Sequence, residues 1–320
     1  MFAITARSTD ATDPLAGLHL GDHPDPEPPE GWVRVHVRAA ALNHHDLWTL
    51  RGVGIDPARL PIVLGCDAAG VTDDGREVLV HAVIADPDGP DETLSGDLSI
   101  LSEQHDGTFA DQVVVPQRNL VDKPASLTFE EAACLPVAWL TAYRMLFTRA
   151  ELRPGQRVLI QGAGGGVATA AVCLARAAGL HVTVTSRDEA KLARVHELGA
   201  HEVLPAGQRL PGKVDAVLET VGEATWAHSL RALVPGGVVV VAGATSGPNP
   251  PADLARVFFR QLRVLGSTMG TREELVRLVR LLDTTGVRPV IDEVRPMADA
   301  VEGFRRLQAG EVFGKLVLRV

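Results

Sequence analysis

Aromatic residues are scarce in this sequence: eight Phe, four Trp and a single Tyr make up 4% of 320 residues. Apolar residues still reach 46%, so the core must be aliphatic, built on Val, Leu, Ala and Ile. Cysteine is scarcer. Cys66, Cys134 and Cys173 are odd in number and far apart, which argues against a disulfide framework and fits a reducing cytoplasm. Three cysteines also exclude a four-Cys structural zinc lobe. No block of consecutive Lys and Arg occurs and the formal charge is -9, so nucleic acid is not expected as a partner. No apolar run approaches the ~20 residues of a membrane helix, so no membrane partner is expected either. The opening "MFAITARSTDATDPL" lacks the basic start and apolar stretch of a secretory signal. A cytoplasmic chain of one large domain or two ordinary ones is the expectation.

What is present divides into three parts. "WVRVHVR" (32–38) alternates apolar and polar, the period of a half-buried strand. "REVLVHAVI" (76–84) and "FADQVVVP" (109–116) read as further strands, and the polar stretch 85–107 as loop. From "SLTFEEAACLPVAWLTAYRMLF" onward, helices and apolar strands alternate. Ser126 is a candidate helix cap there, and Pro136 marks a break or a second helix. Such alternation predicts a parallel, doubly wound sheet. "TREELVRLVRLLDTTG" puts Leu275, Leu278, Val279 and Leu282 on one helical stripe, and "GKLVLRV" is a final strand. The predicted layout is α/β: a β-rich part over 1–122, a dinucleotide-type domain over 123–268, and a return to the first part over 269–320.

"LIQGAGGGVATAAV" joins a strand to a helix. A phosphate-binding turn needs bare backbone beside the pyrophosphate and a helix N-terminus aimed at it. Gly162, Gly164, Gly165 and Gly166 offer several registers, among them Ala163-x-Gly165-x-x-Ala168. The flanking strand and helix and the next βα unit are the context that the motif requires. An acidic residue at the end of the next strand would bond the ribose of NAD(H), whereas a basic one suits NADP(H). Here the end reads "TSRDEAK". Ser186, Arg187 and Lys191 favour NADP(H), and Asp188 comes late and suits a helix cap.

"ALNHHDLWTLRG" and "LGCDAAG" bring together His44, His45, Asp46, Cys66 and Asp67, donor types that zinc uses. These stretches, with "GTFADQVVVP", "SLTFEEAACLPVAWLTAY", "GGVVVVAGA" and "VFGKLVLRV", resemble the medium-chain dehydrogenase/reductase superfamily over nearly the whole chain. That superfamily holds zinc alcohol dehydrogenases and zinc-free quinone reductases. The resemblance implies a GroES-like β-rich catalytic domain split around a Rossmann domain, with the active site in the cleft between them. It places the three catalytic-zinc positions on Asn43, Cys66 and near Val137. Asn43 is typical of the zinc-free branch, so no metal is expected. A rearranged set using His44, His45, Cys66 and Asp67 is disfavoured, because adjacent residues in extended chain point to opposite faces.

The resemblance then implies an NADPH-dependent reductase of quinones or α,β-unsaturated carbonyls, acting on a small-molecule substrate without metal. It places Asn43, His44, His45 and Thr141 near the nicotinamide or substrate, with His45 as proton donor. Ala163, Gly164, Gly165, Gly166, Val167, Gly243, Ala244 and Lys315 join Ser186, Arg187 and Lys191 around the cofactor. The substrate pocket is expected from loops around 45–60, 85–107 and 245–260. Two alternatives stay open: a zinc-type alcohol dehydrogenase, and a nucleotide-binding sensor or structural protein of low activity. The strand "LRVLGSTM" is expected to pair across a two-fold axis in a homodimer.

Overall fold

In the computed structural model, residues 1–85, 89 and 91–320 are described, so part of the loop expected over 85–107 lies outside the described residues. The chain runs β1 (Phe2–Ala6), β2 (Leu18–Asp22), β3 (Trp32–Ala41), α1 (His44–Leu50), β4 (Ile62–Val63), β5 (Ala68–Thr72) and β6 (Glu77–Val80). Next come β7 (Val83–Ile84), β8 (Ser99–Ile100), β9 (Gln112–Pro116), β10 (Leu120–Asp122), α2 (Phe129–Ala133) and α3 (Leu140–Tyr143). The parallel part follows: β11 (Arg157–Gln161), α4 (Gly166–Ala177), β12 (His181–Ser186), α5 (Glu189–Glu197), β13 (Glu202–Pro205) and β14 (Val214–Glu219). It continues with α6 (Glu223–Ala232), β15 (Leu233–Val241), α7 (Leu254–Arg260) and β16 (Arg263–Gly266). Then come α8 (Arg272–Thr285), β17 (Ile291–Pro296), α9 (Ala300–Ala309) and β18 (Lys315–Arg319).

These elements form two compact units, Met1–Ala138 with Gly270–Val320, and Trp139–Met269. The first unit is built on a seven-stranded sheet ordered β10-β6-β5-β3-β18-β17, with β9 also paired to β3. The period-2 pattern read over 32–38 is the body of β3, which alternates buried and partly exposed residues at Val35–Val37. β18 runs antiparallel to β3, with Val317 opposite Ala41, and parallel to β17. The unit boundary falls at 138 rather than 122 because α2 packs on β3, β5 and β18. The cap of α2 is Thr128, not Ser126: Thr128 Oγ1 accepts from Glu131 N at 3.1 Å, and Glu131 Oε2 accepts from Thr128 N at 2.9 Å. Ser126 Oγ instead donates to Asp283 at 2.6 Å. Leu275, Leu278, Val279 and Leu282 of α8 are buried, as their spacing predicts.

The second unit is a six-stranded parallel sheet ordered β13-β12-β11-β14-β15-β16. Its order reverses between β11 and β14, the switch point at which such sheets bind ligands. The strands read as continuous aliphatic runs because helices cover both faces. Leu159, Val217 and Val239 pack there with Leu230 and Leu233. Pro136 does not break its helix. It lies in a wide π-type turn, Leu135–Trp139, that leads into α3. No helix among the described residues is long and apolar enough to cross a membrane.

Candidate active site

"ALNHHDLWTLRG" folds as the end of β3 and the start of α1. Asn43 has extended backbone and occupies the N-cap. Asp46, three positions on, accepts from Asn43 N at 2.7 Å through Oδ2. Because the pair begins a helix, His44 and His45 diverge by helical rotation rather than by strand alternation. His44 is exposed, while His45 is half-buried.

His45 and Cys66 meet inside the first unit. His45 Nδ1 lies 3.3 Å from Cys66 Sγ, and His45 Nε2 lies 2.9 Å from Glu103 Oε1. Cys66 Sγ also donates to Leu101 O at 3.0 Å. The thiol therefore sits among polar partners rather than packing as a plain apolar residue. Burial pushes the Cys66 thiol up, against the pull of the neighbouring His45. Burial opposes charge on His45, but Cys66, Glu103 and Asp46 outweigh it and hold the imidazole well above its usual pKa. Burial drives the Asp46 carboxyl up to about 7, against the pull of His45 and the Asn43 N–H.

Beside this cluster lies a second network. Lys315 Nζ donates to Leu42 O at 2.8 Å, Asn43 Oδ1 at 2.6 Å and Asp67 Oδ2 at 2.9 Å. Asn43 Nδ2 donates to Asp67 Oδ2 at 2.8 Å, and Val137 N donates to Asp67 Oδ1 at 2.8 Å. Burial raises the Asp67 carboxyl, and Lys315 and then Asn43 hold it back. An ammonium has three donors, and all three of Lys315 are committed here. In this structure Lys315 thereby ties β18 to Asn43 and Asp67.

The zinc of the resembled superfamily can now be tested against these residues. Its usual three positions do not make a ligand set here: Asn43 is bonded on both sides of its amide, and Val137 offers only a backbone N–H. A different set is present. His45, Asp46 and Cys66 each offer one ligand atom, and these atoms lie within 4.8 Å of one another. Asp46 Oδ1 is buried with no hydrogen-bond partner, a costly condition that a cation would relieve. Nitrogen, oxygen and sulfur donors in a group of three are the donor types and number that a catalytic zinc takes from a protein.

In the second unit the glycine loop has the geometry of an anion cradle. Gly162 has φ +88, and Gly165 caps α4 without any side-chain cap. A Cβ at Gly165 would meet nothing within 4 Å, so the loop is open. Ala163 is buried, and Gly164, Gly166 and Val167 complete the turn into α4. Ser186 ends β12, Arg187 is exposed, and Asp188 caps α5 by accepting from Lys191 N at 3.1 Å. Gly243 and Ala244 follow β15, and a Cβ at Gly243 would come 3.2 Å from Thr220 O. Thr141 is buried on α3. Sequence reasoning missed Glu103, which is 58 positions from His45 within a stretch read only as polar loop.

A β-rich unit with a His, Cys and Asp cluster, and a parallel sheet with an open glycine loop at its switch point, define a two-unit nucleotide-dependent oxidoreductase. The chain belongs to the medium-chain dehydrogenase/reductase superfamily, with zinc-type alcohol dehydrogenase-like relatives. The family description "Alcohol dehydrogenase GroES-like domain" matches residues 29–125, and "Zinc-binding dehydrogenase" matches residues 166–284. A "Zinc-type alcohol dehydrogenase-like protein" of Schizosaccharomyces pombe is 31% identical, over 91% of each chain. A "Crotonyl-CoA carboxylase/reductase" of Cereibacter sphaeroides is 31% identical, over 83% of this chain and 75% of its own. Among solved structures, a "NAD-dependent alcohol dehydrogenase" shares 36% identity with a TM-score of 0.92 and full coverage of both chains. The chain is thus an NAD(P)-dependent oxidoreductase of this superfamily. None of these names specifies the quinone reductase branch.

Proposed function

We propose that this chain moves hydride between NADP(H) and the alcohol or carbonyl carbon of a small substrate, as a zinc-type alcohol dehydrogenase with a changed ligand set. The observation that carries this reading is the buried group of His45, Asp46 and Cys66 with Asp46 Oδ1 left unpaired. The relatives' names support it over the metal-free reading that Asn43 suggests. When bound, the nicotinamide would supply or take the hydride, and a zinc held by His45, Asp46 and Cys66 would supply Lewis acidity.

The chain's own residues do the rest. The glycine loop and the N-terminus of α4 hold the pyrophosphate. Ser186, Arg187 and Lys191 favour a 2′-phosphate over a bare ribose. Glu103 holds the ring of His45, and Lys315 with Asp67 fixes Asn43 at the head of α1. The test is metal content after dialysis, together with NADP-linked turnover of alcohols and aldehydes. About one zinc per chain and alcohol turnover are expected.

A second reading has its own support. Asn43 and Val137 stand at superfamily ligand positions, and one relative is named a crotonyl-CoA carboxylase/reductase. Under it, NADPH reduces quinones or α,β-unsaturated carbonyls without metal, and His45 supplies the proton instead of holding a cation. Metal-free protein that turns over enones but no alcohol would favour this second reading. Cofactor binding with no turnover of any acceptor would oppose both.

We also propose a homodimer. β16 is an edge of the six-stranded sheet; Val264 on it is exposed, as are Leu254, Phe258 and Phe259 on the preceding α7. An apolar edge strand of this kind is a template for pairing.

A further inference from the structure

The turn that carries Glu103 touches both His45 and Cys66. Leu101 bridges to His105, and Ser102 N donates to His105 O at 2.9 Å. Ser102 is fully buried and has φ +69, the left-handed conformation that residues with a Cβ rarely adopt. This backbone turns Leu101 O onto Cys66 Sγ and Glu103 onto the His45 ring. The Glu103 carboxylate is held from behind, because Ile100 N donates to Oε2 at 3.4 Å. It has room in front because residue 54 is glycine: a Cβ there would come 2.9 Å from Glu103 Oε1.

The chemistry follows from the two ring nitrogens. A cation takes the neutral ring; with Nε2–H given to Glu103, its lone pair then falls on Nδ1, the nitrogen that faces Cys66. A carboxylate behind a histidine is the arrangement that fixes the tautomer and raises the basicity of a metal-binding imidazole. We infer that Glu103 is a positioning residue for a divalent cation held by His45, Asp46 and Cys66, acting through His45 and not by contact with the ion. This inference rests on the zinc-type reading above.

The experiment measures metal affinity rather than activity. Full-length protein, stripped with chelator, is titrated with Zn²⁺ alone against a chromophoric competitor, and with Co²⁺ to record the visible spectrum. Wild type should take about one equivalent, with Co²⁺ bands that include a thiolate contribution. Glu103→Ala should weaken Zn²⁺ binding about 10- to 100-fold, the usual cost of losing such a partner. Glu103→Gln keeps shape and an acceptor oxygen and should fall between the two. NADPH affinity, read by fluorescence, should be the same in all three and serves as the control for folding. If wild type binds metal and both variants match it in affinity and spectrum, the role of Glu103 is refuted while the zinc-type reading survives. If wild type takes up no metal, that reading fails and the role of Glu103 fails with it.

Discussion

Lys315 Nζ lies 2.9 Å from Asp67 Oδ2, and the two side chains are 2% and 0% exposed. This is a buried ion pair with its other valences filled by Asn43, Leu42 and Val137. Removing one partner strands the other charge out of water. Lys315→Ala or Asp67→Ala should therefore cost about 3–5 kcal/mol of stability, measured by urea unfolding. The double variant Lys315→Met with Asp67→Leu should be less damaging than the two single losses added together. Simple additivity would contradict the coupling.

Cofactor choice should follow the end of β12. Arg187→Ala with Lys191→Ala should lower kcat/KM for NADPH about 10- to 100-fold, the scale of one or two charge-assisted contacts to phosphate. The value for NADH should stay nearly unchanged. Equal losses with both cofactors would place the 2′-phosphate elsewhere.

Acid stability should depend on Glu92 and His81. Burial alone would raise the Glu92 carboxyl. The His81 ring, with Nε2 3.2 Å away, and a hydrogen bond from Arg272 N at 2.6 Å outweigh burial and hold it at about 2, below the ordinary 4.5. A depressed carboxyl gives stability that is fully present above 4.5 and lost as pH falls toward about 2. Burial also lowers the His81 pKa below 6.5, so the unfolded chain takes up that proton first and the loss begins near there. Glu92→Gln should thus be less stable than wild type near neutral pH, and the difference should shrink on acidification. Urea midpoints across an acid pH series measure this. A constant gap would exclude the linkage.

Dimer formation should depend on the exposed apolar face of the second unit. Phe258 and Phe259 lie with ring centroids 4.4 Å apart on α7, the helix that precedes β16 in the chain. Phe259→Asp and Val264→Asp should each shift light scattering toward the monomer while cofactor binding is kept. Wild type that is monomeric on dilution to assay concentrations would overturn the proposal.

Much of the fold is legible in the sequence because its signals are local. β3 announces itself by alternation, α8 by its Leu stripe, and the glycine loop by the strand and helix that flank it. The stretch 135–149 was not legible, since Pro136 argues for a break and only packing makes the wide turn tolerable. The candidate site was legible in part. Asn43, His45, Asp46 and Cys66 stand in quoted motifs, but which of them touch depends on helical rotation at α1 and on a turn 58 positions away. The resemblance puts Lys315 at the cofactor, and by type a lysine belongs at the surface. Its burial follows from the place of β18 between β3 and β17, which no local pattern reveals.

That placement also sets an order of events during synthesis. Asp67 is made 248 positions before the lysine that neutralises it, and the strand bearing that lysine fills the gap between β3 and β17. The intervening parallel sheet has all its residues on the ribosome first and can close by itself. The first unit must wait, with a carboxylate and an unpaired strand edge exposed. Truncating the chain before Lys315 would leave it waiting permanently, and such a fragment should aggregate rather than fold.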